Sequence, residues 1–178
     1  MTDITDRSAT VLRALRRTKQ IRRFTDEPVG ADALEQILEV ARWTGSSMNS
    51  QPWTFVVVRD RAVLDGIASA AKYARHVGHA PLAIAIVMPG DDAESEAYDE
   101  GRAAERILVA GHALGLGAGI GWAQGETEQS AVRELLDVAS PAYVRTIISV
   151  GHPTEEAARP RTAPGTARRP LSEIVRER

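Results

Sequence analysis

The stretch "PLAIAIVMP", residues 81 to 89, constrains the fold more than any other part of the chain. Seven consecutive apolar residues fenced by prolines leave neither side of a strand to water. The segment therefore belongs inside a sheet that is covered on both faces. Such a strand needs neighbours, and three segments offer themselves: "WTFVVVRD" (53–60), the glycine-rich "GLGAGIGWA" (115–123) and "YVRTIISVGHP" (143–153). Helical spacing fills the intervals. Val11, Leu12 and Leu15 mark a first helix ending about Lys19; Leu34, Ile37, Leu38, Val40 and Ala41 form one face of a second, capped by Asp32. A third runs from about Arg61 to Tyr73. A long Ala-rich helix from about Glu96 to Leu114 has few polar interruptions and reads as the buried centre of the fold. A short helix around "EQSAVRELLDV" precedes the last strand. At 178 residues the chain suits a single domain spanning 1–178, and this order of elements leaves a doubly wound α/β sheet and an α+β fold both open. Residues 154–178 are rich in Pro, Ala and Arg, with only "LSEIV" able to pack. They read as an extension, or as an arm ordered by lying on another subunit.

Composition removes several classes of function. With 22 basic and 24 acidic residues there is no global field for nucleic acid. The absence of cysteine excludes disulfides, thiolate metal sites and a catalytic thiol, and the four histidines show no metal-ligand spacing, so no metal is expected. No G-x-S-x-G elbow or phosphate loop ending in G-K-[ST] occurs. The N-terminus lacks the apolar stretch of a secretory signal, and no run approaches the ~18 apolar residues of a membrane span. These features point to a cytoplasmic chain that does not enter the membrane.

Three features carry chemistry. The glycine stretch fails as a dinucleotide fingerprint because Ile120 and Trp122 stand where glycines are needed, and because it follows a helix and precedes a strand. Its default role is a helix C-cap and a closely packed strand, although backbone without side chains also lets a flat ligand approach. The cluster Arg16, Arg17, Lys19, Arg22 and Arg23 suits a helix C-terminus by default. Held against the apolar Ile21 and Phe24, it would equally suit a phosphate monoester, and Arg168 and Arg169 repeat the charge in the tail. The third is "SSMNSQPW" (46–53), which concentrates amides and hydroxyls between a helix and a strand.

Together these segments resemble the flavin-dependent nitroreductase family. The likeness rests on "TKQIRRFTDEPV" (18–29), "GSSMNSQPWTFVVV" (45–58), "AGHALGLGAGIGW" (110–122) and "SVGHP" followed by "RRPL" (149–171), in that order along nearly the whole chain. The second is the most specific. The resemblance implies an α+β fold with a mixed central sheet flanked by helices, and a homodimer whose C-terminal arm packs on the partner subunit. It also implies FMN in two shared clefts. Carried over, Lys19 and Arg168 would serve the phosphate and Arg22 the flavin pyrimidine, with Gln20 between them. Gly45, Ser46, Ser47 and Asn49 would contact the ring from the other subunit, and Gly119, Ile120 and Gly121 would pass beneath it. The implied activity passes hydride from NAD(P)H through flavin N5 to a small acceptor such as a nitroaromatic, quinone or enone. No side chain need act as strong acid or base, and Arg22 would stabilise the charge of reduced flavin. The alternative is a non-catalytic protein that binds or sequesters flavin. The chain departs from the family in having Lys19, which supplies charge without the planar two-point grip of arginine, and Gly45 where proline is usual.

Overall fold

A computed structural model describes residues 4–159 and 168–178. The elements are α1 (Ile4–Arg17), α2 (Ala31–Arg42), β1 (Thr54–Val58), α3 (Arg61–Ala70), β2 (Leu82–Met88), α4 (Ala93–Ala113), β3 (Gly117–Trp122), α5 (Gly125–Leu135), β4 (Tyr143–Gly151), α6 (Glu155–Ala158) and α7 (Leu171–Ile174). The strands form one sheet in the order β1-β2-β4-β3. Every pairing is antiparallel, which removes the doubly wound alternative. Helices and sheet are layered as expected, but no parallel pair exists among the described strands.

β2 is interior, and all seven of its residues are buried. Its even-numbered side chains Leu82, Ile84, Ile86 and Met88 meet α2 and α4; Ala83, Ala85 and Val87 meet α3, α5 and a 3-10 segment over 72–79. Apolar residues thus cover both faces, as a fully apolar strand demands. α4 buries Ala103, Ala104, Ile107, Leu108, Ala110 and Gly111 against the sheet.

Local chemistry moved several boundaries. α4 starts at Ala93, not near Glu96, because the Asp92 carboxylate accepts from Glu94 N and Ser95 N, both at 3.2 Å. Glu96 then turns back to accept from Gly90 N, Asp91 N and Asp92 N, so its buried carboxylate ties down the backbone ahead of the helix. α2 begins after Gly30 with no side-chain cap, leaving Asp32 in its first turn, and Val40 lies on its exposed side. α3 stops at Ala70 and its expected continuation tightens into the 3-10 segment. α1 ends at Arg17, and its apolar stripe Val11, Leu12 and Leu15 is exposed. Of the C-terminal arm, residues 160–167 lie outside the described residues; α7 exposes Leu171 and Ile174 on its own chain.

Candidate active site

α1 hands the chain to an extended segment, 18–25, that runs along the free edge of β3. Ile21 N donates to Ala118 O (2.8 Å), and Thr25 N to His152 O (2.9 Å). This edge is glycine-rich because the segment packs so closely. A Cβ at Gly117 would fall 2.7 Å from the Ile21 side chain, and one at Gly119 would fall 2.4 Å from Ile21 O. At Gly121 it would strike Ala74 at 2.9 Å. The bare sides of Gly119 and Gly121 are thus filled by the chain itself, in keeping with the closely packed strand read as their default role. Ile120, half-exposed on the opposite face, is the member of the trio with surface to offer.

The segment arranges its polar groups around Ile120. Arg22 Nη2 donates to Gln20 Oε1 (2.7 Å) and to Ile120 O (3.2 Å), while Ile120 N donates to Gln20 Oε1 (3.3 Å). Lys19 Nζ donates to the carbonyls of Ala157 (2.8 Å), Ala158 (3.2 Å) and Arg159 (2.6 Å) at the end of α6. Its charge stays at the corner, but its three donors are committed. Lys19, Gln20 and Arg22 line a cavity of about 780 Å³ with Arg16, Glu105, Leu108 and Arg168. Folding therefore brings together cations from opposite ends of the sequence. Arg16 was visible in the basic cluster, but its place in this cavity had no sequence signal.

Behind β3, His76 Nε2 lies 3.2 Å from Gly119 O, which also accepts from the buried Ser149 hydroxyl at 3.1 Å. Burial lowers the His76 pKa, and the charges of Arg22 and His79 push the same way. The ring is neutral near pH 7 and donates in the tautomer protonated on Nε2. Neither residue was singled out from the sequence as part of the site.

The loop 45–51 lies elsewhere. It follows α2, contains a single 3-10 turn over Ser47–Asn49, and holds Met48, Asn49 and Gln51 at φ of 50°, 58° and 49°. Non-glycine residues in this region each store of order 1–3 kcal/mol. The fold maintains the strain with few ties: Ser47 N donates to the buried Asp99 carboxylate (3.1 Å), and Gln51 N to the Ser46 hydroxyl (2.8 Å). Among the described residues the side chains of Ser47, Asn49 and Ser50 make no hydrogen bond, and Met48 is 98% exposed. Half of the polar stretch closes its own loop; the other half faces outward. Gly45 adjoins Arg102, whose Nη2 would lie 2.8 Å from an added Cβ. Ser46 and Ser47 share a depression with Tyr98, Asp99 and Arg102 on α4. That is one to two turns, about 10 Å along the axis, from the Glu105 and Leu108 of the cationic cavity. Within one chain the two groups of site residues do not meet.

Among the described residues no helix is long and apolar enough to cross a membrane, and no three His, Asp or Glu side chains converge as a metal site.

The chain has relatives. Residues 15–77 match the family model described as "Nitroreductase family". A protein of Archaeoglobus fulgidus, provisionally named an NADH dehydrogenase/NAD(P)H nitroreductase, is 32% identical over 144 residues, 78% of this chain and 82% of that one. An NADH dehydrogenase of Thermus thermophilus is 30% identical, covering 80% and 86%. Among solved structures, an FMN-dependent nitroreductase of Clostridium difficile superposes with a TM-score of 0.76 at 29% identity, over 80% of this chain and 87% of that one.

Proposed function

This chain belongs to the nitroreductase family and is an oxidoreductase, and on that premise we propose that it holds FMN and uses NAD(P)H to reduce a small, flat acceptor such as a nitroaromatic, quinone or enone. Family membership as an enzyme sets aside mere sequestration of flavin. The observation that carries the reading is the convergence on one cavity beside β3 of Arg16 and Arg168, with the charge of Lys19, for the phosphate, and of Arg22 for the ring. A phosphate monoester is dianionic near neutral pH, and arginine forks match its oxygens in pairs. The donor set fits FMN: cations for the phosphate, and next to them a half-exposed Ile120 against which an apolar ring can lie. Glu105 in the same cavity offsets part of the charge.

When bound, FMN supplies hydride acceptance and donation at N5. The chain's own work is orientation and electrostatics. Arg22, braced by Gln20 and the Ile120 carbonyl, keeps its cation fixed along the β3 edge, where it favours the negative charge of the reduced ring. Ser149 and His76 hold that strand from behind. Ser46, Ser47 and Asn49, with Gly45, would reach the ring of the partner's cofactor, since within their own chain they lie apart from the cationic cavity. The exposed stripes on α1 and α7 support such a pairing of two copies, with the C-terminal arm lying on the partner.

The test is direct. Protein purified without added cofactor should show the visible absorption of oxidised flavin, and NADH or NADPH without oxygen should bleach it. Colourless protein that takes up no FMN would overturn the reading.

A further inference from the structure

A second cluster, at the far end of β3, is not used by the reading above. β4 carries a bulge there: Thr146 pairs with Ile86 and Val144 with Val87, so Arg145 has no partner on β2. The extra residue turns its side chain to the α4 face. There Arg145 Nε donates to Glu100 Oε2 at 2.9 Å, and Nη2 donates to the same oxygen. Glu100 is 2% exposed, and its other oxygen, Oε1, has no partner among the described residues. The guanidinium also lies over the rings of Trp122, at 5.2 Å, and Tyr143, at 5.1 Å. The Tyr143 hydroxyl is pushed up to about 12 by burial, with the Glu100 and Glu96 carboxylates adding to it and Arg145 opposing, so it stays a neutral phenol.

This arrangement is a poor way to stabilise a core. A buried ion pair rarely outdoes apolar residues of the same volume, an unpaired carboxylate oxygen adds a penalty, and the bulge forfeits ladder regularity. What these costs secure is the position of Trp122. Its ring is on the same side of β3 as Ala118, which is buried, and Ile120; yet Trp122 is 41% exposed. One face is occupied by the cation, and the exposed part of the indole opens to solvent beside the strand assigned to the flavin. Arg145 is itself 20% exposed, and among the described residues its Nη1 donates to nothing.

We propose that Trp122 and Arg145 form the specificity wall of the acceptor site, selecting flat aromatic acceptors that carry a planar oxygen group. The acceptor ring lies against the indole, and its nitro, carboxylate or carbonyl oxygens receive the Nη1 hydrogens. Trp122 is the group that touches the acceptor, and Glu100 is a positioning residue acting through Arg145. The inference rests on FMN lying along β3.

The experiment compares p-nitrobenzoate with ferricyanide, which takes electrons without ring stacking, on the FMN-loaded enzyme with NAD(P)H. In Trp122→Ala, kcat/KM for p-nitrobenzoate should fall about tenfold, chiefly through KM, while ferricyanide changes by less than about twofold and FMN content is unaltered. The double variant Glu100→Leu/Arg145→Met removes both buried charges at once and should lose the same preference. If it does not fold, Trp122→Ala decides alone. Variants that hold FMN and are bleached by NAD(P)H, yet treat both acceptors as wild type does or lose both in parallel, overturn the proposal. Wild-type protein that never holds or reduces FMN overturns the underlying reading, and this one with it.

Discussion

The corner around Arg22 and the loop around Met48 carry the two halves of one proposed site, and they are built in opposite ways. The corner is cross-tied: Arg22, Gln20, Ile21 and Lys19 each bond to a distant strand or helix, and close backbone approach at Gly117 and Gly119 leaves no room for drift. The loop keeps three residues in left-handed backbone with one tie to α4 and outward-facing amides. A site for charge must be rigid before the ligand arrives, because reorienting dipoles costs part of the stabilisation. In the proposed dimer the loop would gain its remaining bonds only on assembly.

The largest test of that contrast is Arg22→Ala. Loss of a charge-assisted bond costs about 1.5–3 kcal/mol, so FMN should bind roughly tenfold to a hundredfold more weakly in a fluorescence titration. Unchanged affinity would show that Arg16 and Arg168 suffice. A smaller effect probes the strand behind the corner. Because His76 is held neutral by burial, the unfolded chain binds a proton that the folded one resists as pH falls below the ordinary histidine range near 6.5. Its contribution is complete above that range and is lost as pH falls through the lowered folded value. Thermal melts from pH 7.5 down to 5 should therefore decline more steeply for wild type than for His76→Gln; parallel curves would remove His76 from the account. The smallest is Met48→Gly. Glycine relieves the left-handed strain but enlarges unfolded-state freedom, so urea unfolding should shift by at most about 1 kcal/mol, with FMN affinity hardly changed. A loss of several kcal/mol would mean that the loop is as interlocked as the corner.

What could be read in the sequence was local. "PLAIAIVMP" announced an interior strand because burial on both faces requires an unbroken apolar run. The glycines after α4 announced its end, and Gly115 indeed turns there at φ 76°. Misplaced boundaries had local causes of another kind: the long helix begins three residues ahead of Glu96 because Asp92 caps it, while the Glu96 carboxylate holds three backbone N–H groups. The cavity was only half legible, since Arg16 and Arg168 meet through folding across some 150 positions. Arg145 was invisible as a site residue. A bulge leaves no mark in the alternation of "YVRTIISV", and its partner Glu100 lies 45 residues away. The glycines of β3 were legible as a closely packed strand, and their bare faces do serve internal packing.

β1 ends the sheet with only β2 beside it, so one row of its amide and carbonyl groups has no ladder partner among the described residues. Open rows of this kind template the addition of any extended segment, native or not. In the proposed pairing of two copies, covering such surfaces and the α1 stripe would link assembly to folding. Dilution would then work against the native state much as a mild denaturant does.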